Sequence, residues 1–365
     1  MAKPVFGPCD SYQLEPFTYP EAWDRYKRMR KNEWSPEQIG VAEDVACFRS
    51  PDTPSYSIDA FLAVMAQLTV FDLKRGLDAA ETFMNIVQPA EIKAALTRMV
   101  FEEMGHTESY RYIIENFGLP VTGEDNFYDT WKRVPVMQKR VEMAEEISEP
   151  LIHIATEMAM THEPPNRVQR QAFLRATFFW FQIFEGIWFW LNLLGPVQAM
   201  SDLGLFVKAA EQFRYIARDE SQHIALGIDL WGWVVREDPS LVDQDLIDTI
   251  RKDMEKAIDL EQEFILYVLR NGTVLGYDAV RHVETAKWFA NHRLWAHGLP
   301  KLYENPQHHF QELFARKMEI NQEANFFETH VKEYQTGSGL DFDDSDDPGE
   351  EDGPWAAGWN ERSGL

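Results

Sequence analysis

Residues 176–197 read ATFFWFQIFEGIWFWLNLLGPV, an apolar stretch in which Gln182, Glu185 and Asn192 are embedded. Its length and apolarity are those of a transmembrane helix. Glu185 lies near its middle, however, and a carboxylate at the centre of a bilayer is strongly unfavourable. The same stretch suits the central helix of a large bundle, apolar on all sides with one polar function inside. We therefore expect a soluble protein and no membrane partner.

Apolar residues recur every three to four positions from about residue 57 to residue 334, which is the pattern of α-helices. Alternating segments rich in Val, Ile and Thr, which would indicate strands, do not stand out. Several of the helices would exceed 20 residues, which favours a long bundle. We predict an all-α fold. The expected breaks between helices lie near residues 88–89, 118–125, 163–166, 195–202, 237–240 and 272–276.

The two ends of the chain differ from this centre and suggest three parts. Residues 1–56 are rich in Pro, Asp and aromatic residues, and we expect an N-terminal arm with one short helix at 21–31, lying over the core. Residues 57–334 form the predicted helical domain. Residues 335–365 are Gly-rich and acidic, with eight carboxylates and no base between positions 341 and 352. Such a run repels itself, so we expect a flexible tail.

The composition excludes several classes of protein. The formal net charge is -25, so electrostatic attraction to nucleic acid is absent and no nucleic-acid partner is expected. Two cysteines, Cys9 and Cys47, provide neither a disulfide framework nor a thiolate zinc site. The amino end lacks a basic region followed by an apolar run. We expect a cytoplasmic location.

Two E-x-x-H pairs carry the chemistry: Glu103 with His106 in FEEMGH, and Glu220 with His223 in DESQH. At positions i and i+3 of a helix, both side chains project from one face and can hold one metal ion. Each pair lies in an apolar helical segment, where an ionised glutamate is costly without a compensating cation.

Two further acids occupy similar surroundings: Asp72 lies on the helix before the first pair, and Glu185 on the helix before the second. One acid from each of two helices and an E-x-x-H pair from each of two others make the ligand set of a ferritin-like di-metal carboxylate site. Four carboxylates balance two divalent cations, and oxygen and imidazole ligands suit iron or manganese with positions open for dioxygen. The predicted metal ligands are Asp72, Glu103, His106, Glu185, Glu220 and His223.

Tyr110 follows His106 by four residues, about 6 Å further along the same helix face. This spacing predicts a phenol beside the metal ions. Packing in the core is the simpler interpretation of any single tyrosine. Beside a metal pair that activates oxygen, a radical on Tyr110 becomes the better hypothesis.

With these residues assembled, residues 15–335 resemble the small, radical-generating subunit of class I ribonucleotide reductase. The resemblance rests on the 31-residue interval from Asp72 to Glu103, the H-x-x-x-Y pattern that begins at His106, the FEGIWF helix around Glu185, and RDESQH. It implies a ferritin-like bundle with two metal ions per chain, Fe/Fe or alternatively Mn/Mn or Mn/Fe. It also implies reaction with O2 and a homodimer that works with a large catalytic subunit.

The resemblance also implies a path for the radical from the metal site to the large subunit. Trp34, in KNEWSPEQI, matches the first relay, and Asp219 would hydrogen-bond both Trp34 and the metal-bound His106. NFFETHVKEYQ resembles the family's tail motif, which makes Tyr334 the relay at the subunit boundary and Glu328 an aid to proton movement. Core packing, a helix salt bridge or an exposed aromatic would explain each residue alone, but their joint order and spacing favour the relay.

Departures from the family pattern narrow the prediction. Subgroups with a manganese–iron centre and no tyrosyl radical have Glu at the first ligand and a residue that cannot be oxidised at the tyrosine position. Asp72 and Tyr110 therefore point to a tyrosyl radical, although they do not fix the metal or the need for a flavoprotein activator. The tail extends past its acidic run to GPWAAGWNERSGL, and we expect Trp355 and Trp359 to dock on the large subunit.

Two other functions are open. An autonomous ligand-binding oxidase or hydroxylase of the same architecture would have Glu at the first ligand position and Tyr five residues before the third acid, where this chain has Asp72 and Trp180. An iron-storage or purely structural protein would not depend on Tyr110 or Tyr334. No Walker A or Rossmann glycine pattern is found, so we do not expect this chain to bind the ribonucleotide itself.

Overall fold

A computed structural model of the chain describes residues 4–7, 14–74 and 79–318. Within these ranges the regular structure is helical, and pairing of extended backbone is limited to one isolated bridge between Val274 and Tyr277. The all-α prediction is confirmed. The α-helices are α1 (Pro20–Arg30), α2 (Pro36–Ile39), α3 (Ala42–Arg49), α4 (Ser55–Lys74), α5 (Ala80–Ile86), α6 (Ala90–Phe117), α7 (Pro135–Thr161), α8 (Arg167–Phe178), α9 (Trp190–Leu194), α10 (Pro196–Ser201), α11 (Val207–Glu237), α12 (Gln244–Val268) and α13 (Ala279–Ala296). The structure also contains two 3-10 helices (Phe127–Arg133 and Pro239–Leu241) and a π-helix (Phe179–Phe189), and residues 311–318 are helical.

Residues with capping side chains or a suitable backbone conformation determine where several helices begin and end. The carboxylates of Asp243 and Asp278 accept from the backbone N–H groups at the starts of α12 and α13. Asn166 and Gln169 form a reciprocal capping box at the start of α8. Gly118 ends α6 with a φ of 73°, a left-handed conformation that glycine adopts without steric cost.

Most of the expected breaks lie between helices, but one is wrong in part. Residues 195–202 were expected to be a break, whereas only Gly195 interrupts the chain there and Pro196–Ser201 form α10. Proline at the first position of a helix has its φ already set for helix, so Pro196 starts a helix here. The confirmed breaks are those near 88–89, 118–125, 163–166, 237–240 and 272–276. The arm contains α2 and α3 besides the expected short helix, since helices this short leave no readable periodicity.

The apolar stretch that begins at residue 176 lies in the interior. Its central part, Phe179–Phe189, is a π-helix in which every residue is buried. The sequence gives no sign of this change of helix type. Among the described residues, one helix is long and apolar enough to cross a membrane, Ser55–Leu73, and 67% of that window is buried inside the protein. Both segments therefore behave as core helices of a bundle.

Four elements surround the centre of the bundle: α4, α6, the π-helix and α11. Phe71 of α4 contacts Phe184 of the π-helix with ring centroids 4.8 Å apart. Ser109 of α6 donates a 2.6 Å hydrogen bond to Gln212 of α11, and both side chains are buried. These contacts join the helices that carry the predicted metal ligands.

The arm packs on this bundle through polar contacts with backbone amides. Glu91, at the start of α6, accepts hydrogen bonds from the backbone N–H groups of Thr18 and Tyr19, at 2.8 and 3.1 Å. The carboxylate of Asp44 in α3 accepts from the backbone N–H groups of Lys208 and Ala209, at 3.2 and 2.6 Å. Asp44 thus satisfies donors in the first turn of α11, which a helix cannot satisfy internally.

Candidate metal centre

The two E-x-x-H pairs face each other across the interior, one on α6 and one on α11. In the first pair, His106 Nδ1 lies 3.4 Å from Glu103 Oε2. In the second, His223 Nδ1 lies 3.1 Å from Glu220 Oε2. Each helix thus brings a carboxylate and an imidazole to the same spot, as the i, i+3 spacing predicts.

Asp72 and Glu185 complete two overlapping groups of four side chains. Within each group, the potential ligand atoms all lie within 4.8 Å of one another. The first group is Asp72, Glu103, His106 and Glu220, and the second is Glu103, Glu185, Glu220 and His223. All six predicted ligands are therefore together, and Glu103 and Glu220 belong to both groups.

Glu103 and Glu220, which belong to both groups, each place one carboxylate oxygen near His106 and the other near His223. Glu103 places Oε2 3.4 Å from Nδ1 of His106 and Oε1 3.4 Å from Nδ1 of His223. Glu220 places Oε1 3.4 Å from Nδ1 of His106 and Oε2 3.1 Å from Nδ1 of His223. Glu103 and Glu220 would therefore be available to both of two cations, and each histidine to one of them.

The six side chains are at most 1% exposed, so four carboxylates are gathered out of contact with water. Burial, and next the charge of Glu103, raise the pKa of Asp72 well above its ordinary value. Burial alone would lower the pKa of His106 and of His223, but the surrounding carboxylates raise both well above the usual range. The carboxylates therefore favour protonated histidines in the metal-free site. Bound cations would take the place of these protons.

Several oxygen and nitrogen atoms in this group have no hydrogen-bond partner among the described residues. They include Oδ2 of Asp72, both carboxylate oxygens of Glu103, and Nδ1 of His106. Buried polar atoms in folded proteins are nearly always paired, so a set of unpaired acceptors at one spot indicates a bound group. Oxygen and imidazole donors fit iron or manganese, and the residues present therefore suit two such ions.

A second carboxylate contacts the outer nitrogen of each histidine. Asp219 Oδ2 lies 3.6 Å from Nε2 of His106 and accepts a 2.9 Å hydrogen bond from Nε1 of Trp34. Glu102 Oε2 lies 3.0 Å from Nε2 of His223, and Glu102 also accepts a 3.1 Å hydrogen bond from Arg98. Such partners fix which imidazole nitrogen faces the metal.

Glu102 was not identified from the sequence, although a signal for it exists. In both motifs an acid immediately precedes the ligand glutamate, as EEMGH and DESQH show. The preceding acid of each helix contacts the histidine of the other helix: Asp219 of α11 meets His106, and Glu102 of α6 meets His223. The two motifs are therefore related by an approximate twofold arrangement.

Tyr110 lies one turn beyond His106 and is fully buried, with its ring edge-on to Phe213 at a centroid distance of 6.1 Å. Burial, and next the charge of Asp72, raise the pKa of this phenol well above its ordinary value. Tyr110 is thus a neutral phenol in the interior, beside the first group of ligands.

Four of the predicted residues lie outside the described residues: Glu328, Tyr334, and the proposed docking residues Trp355 and Trp359. Trp180, where the oxidase pattern has tyrosine, donates a 3.0 Å hydrogen bond from its indole nitrogen to Ser148.

The comparisons with known proteins agree with this geometry. The ribonucleoside-diphosphate reductase subunit beta of Chlamydia pneumoniae is 28% identical over 342 residues, which are 91% of this chain and 92% of that relative. The solved ribonucleotide reductase R2 subunit from Clostridium botulinum is 25% identical with a TM-score of 0.71, over 82% of this chain and 88% of that one. An R2-like ligand-binding oxidase variant with a Mn/Fe cofactor is 17% identical with a TM-score of 0.58, over 79% of this chain and 100% of that one, a likeness of fold alone.

The family assignment rests on the extent of the sequence match. Residues 11–309 of the 365 match the family described as ribonucleotide reductase, small chain. This range contains the six clustered ligands, Tyr110, Trp34 and Asp219. The chain therefore belongs to the ribonucleotide reductase small chain family and is the small subunit of an oxidoreductase.

Proposed function

We propose that this small subunit uses dioxygen and two metal ions to form a tyrosyl radical on Tyr110, and supplies it to a large subunit that reduces ribonucleotides to deoxyribonucleotides. The observation that carries the proposal is the position of Tyr110, a fully buried phenol beside Asp72 of the first ligand group. A residue with this burial is shielded from water, which would otherwise quench a radical.

The two metal ions would be held by the two overlapping groups, which share Glu103 and Glu220. When bound, they would supply the one-electron oxidation of the phenol with dioxygen as the oxidant. We propose iron in both positions, with Mn/Mn or Mn/Fe as alternatives, since an R2-like oxidase of the same fold carries Mn/Fe.

Asp72 would take part in moving the phenol proton. Its carboxylate is the acid that acts most strongly on Tyr110, and both side chains are buried, which places a proton acceptor beside the phenol. Loss of an electron from Tyr110 with transfer of its proton to Asp72 would leave a neutral radical.

The path outward would begin at His106 and continue through Asp219 to Trp34, which the 3.6 and 2.9 Å distances already connect. We propose Tyr334 as the relay to the large subunit, with Glu328 assisting proton movement, from the resemblance of NFFETHVKEYQ to the family's tail motif. Docking would use the tail, residues 335–365, through Trp355 and Trp359. We further propose a homodimer in the cytoplasm, with residues 1–56 as an arm and residues 57–334 as the di-metal domain.

The first experiment is electron paramagnetic resonance on metal-free protein that is reloaded anaerobically with ferrous iron and then exposed to dioxygen. We expect a tyrosyl signal in the wild-type protein and none in Tyr110→Phe, with two irons bound per chain in both. Tyr112→Phe, a change of a partly buried tyrosine on the same helix, serves as the control and should retain the signal.

A second measurement separates radical formation from its use. Tyr334→Phe should retain the Tyr110 signal but fail to support turnover with the large subunit and a nucleoside diphosphate. If wild-type protein binds two irons and gives no tyrosyl signal, the iron–tyrosyl proposal is wrong, and manganese loading or an autonomous oxidase replaces it. A signal that persists in Tyr110→Phe would assign the radical elsewhere.

A further inference from the structure

Arg293 of α13 is a buried cation that the proposed reaction does not use. Its side chain is 3% exposed, and among the described residues no carboxylate forms an ion pair with it. Burial alone lowers the pKa of this guanidinium to about 9, so it remains protonated at neutral pH. A buried charge without a counter-ion is costly, and such groups persist where something specific requires them.

The guanidinium of Arg293 is directed at one backbone oxygen. Its Nε and one terminal nitrogen donate to the carbonyl of Gly186, at 3.3 and 3.1 Å. Gly186 immediately follows the predicted ligand Glu185 and lies within the π-helix. The contact therefore reaches the backbone of the ligand-bearing segment from a different helix.

The hydrogen bonding of the π-helix at this carbonyl differs from that of an α-helix. In an α-helix the N–H of Trp190 would donate to Gly186, four residues earlier. Here it donates to Glu185 and Ile187 instead. The Gly186 carbonyl accepts two N–H groups of Arg293. The buried cation thus contacts the backbone near the point at which the π-helix returns to an α-helix.

The fit leaves no room for another residue at position 186. A Cβ there would lie 2.8 Å from Nε of Arg293 and 3.2 Å from the carbonyl oxygen of Phe181. Gly186 and Arg293 are therefore complementary, since the absence of a side chain on one permits the approach of the other.

We propose that Arg293 is a positioning residue for Glu185: by holding the Gly186 carbonyl it keeps the π-helix in the form that directs the Glu185 carboxylate to the second metal position. Glu185 belongs only to the second ligand group, whereas the first group has ligands from α4, α6 and α11. Loss of Arg293 should therefore weaken one metal position and not the other. This inference rests on the proposed metal site but not on the radical.

The test is titration of the metal-free full-length protein with Mn²⁺ alone, with free and bound ion measured by electron paramagnetic resonance. Wild-type protein should bind two ions per chain with the spectrum of a coupled pair. Arg293→Met should bind the first ion as the wild type does and the second about 10- to 100-fold more weakly, the usual cost of losing an outer partner of a metal ligand. Arg293→Lys, which keeps the charge but has fewer donors, should give an intermediate affinity.

Two controls separate positioning from general stability. Arg175→Met removes a half-buried arginine whose guanidinium ion-pairs with Asp253, and it should bind both ions as the wild type does. Thermal unfolding of metal-free Arg293→Met should lie close to that of the wild type, because removal of an unpaired buried charge offsets the loss of two hydrogen bonds to Gly186. Gly186→Ala disturbs the same contact by adding a Cβ at Gly186. If Arg293→Met does not fold, Gly186→Ala should show the same loss of affinity for the second ion.

The outcomes are distinct. If Arg293→Met and Gly186→Ala bind each of the two ions as tightly as the wild type does, the positioning role is overturned. An equal loss of affinity at both metal positions would overturn it too. Failure of the wild-type protein to bind two ions would overturn the proposed metal site itself. Absence of a tyrosyl signal in the iron experiment leaves the Mn²⁺ result as it stands.

Discussion

The indole nitrogen of Trp34 donates a 2.9 Å hydrogen bond to Oδ2 of Asp219, which joins the N-terminal arm to the helix that carries the second E-x-x-H pair. The same carboxylate lies 3.6 Å from the outer nitrogen of His106 and is held from its other oxygen by Arg218. Asp219 thus lies between a predicted metal ligand and a partly buried aromatic ring.

Trp34→Phe should separate radical formation from radical use. The phenyl ring can retain the contact that Trp34 makes with Tyr215, whose ring centroid is 5.3 Å away, but it cannot donate to Asp219. We expect two metal ions per chain and a Tyr110 signal, with turnover in the presence of the large subunit reduced to background. Trp23→Phe, in α1 of the same arm, should leave turnover unchanged. Turnover near the wild-type rate in Trp34→Phe would exclude this residue from the path.

Glu102→Gln should weaken metal binding through His223. The amide can still accept from Nε2 of His223, but it lacks the charge that makes the 3.0 Å contact strong. We expect the affinity for Mn²⁺ to fall by about 10- to 100-fold in a titration of the metal-free protein. Glu108→Gln changes an exposed acid on the same helix and should have no effect. Equal affinities in both variants would show that Glu102 does not support His223.

Two glycine substitutions should change stability in opposite directions. A Cβ at Gly227 of α11 would overlap the Cβ and Cγ of Phe181 in the π-helix, so Gly227→Ala should lower the free energy of unfolding by about 1 to 3 kcal/mol. A Cβ at Gly105 of α6 meets nothing within 4 Å, so Gly105→Ala should raise it by up to about 1 kcal/mol through helix propensity. Denaturant unfolding of the metal-free proteins measures both. A destabilised Gly105→Ala would contradict the open space at that position.

His297 should contribute to loss of stability in acid. It is buried between the rings of Phe178 and Trp231, and burial lowers its pKa to about 3 from an ordinary value of 6.5. Between these two pH values the unfolded chain binds a proton that the folded chain does not, so stability falls as the pH falls below 6.5. The expected slope from this one group is about 1.4 kcal/mol per pH unit.

His297→Phe removes that titration and is the matching measurement. The difference in unfolding free energy between wild type and variant should shift in favour of the variant as the pH is lowered from 7 to 5. His308, whose pKa is also lowered to about 3, is present in both proteins and does not affect the difference. A difference that is independent of pH would mean that His297 is protonated in the folded protein.

The six clustered ligands could be predicted from the sequence because the information is local. The spacing within each E-x-x-H pair places Glu103 and His106 on one helix face whatever the tertiary structure. An acid in an apolar helix, such as Asp72 or Glu185, is recognisable because burial of a charge needs a compensating group. Long periodic segments made the all-α bundle equally readable.

The remaining features depend on contacts between distant parts of the chain. Glu102 meets His223 across 121 residues, and Arg293 meets Gly186 across 107, and neither distance follows from local spacing. The π-helix arises from packing of a segment that is apolar on all sides, so its periodicity gives no signal. The roles of Glu328 and Tyr334 stay predictions.

The contact between Asp44 and the first turn of α11 changes how the amino end should be regarded. A chain cut to begin at residue 57 would keep every predicted metal ligand, yet it would leave the amides of Lys208 and Ala209 without their acceptor. The helix that presents Glu220 and His223 would then begin on an uncapped, frayed turn. The arm therefore stabilises the start of a helix that carries metal ligands. We expect truncation of the arm to weaken metal binding at a site that lies far from the cut in the sequence.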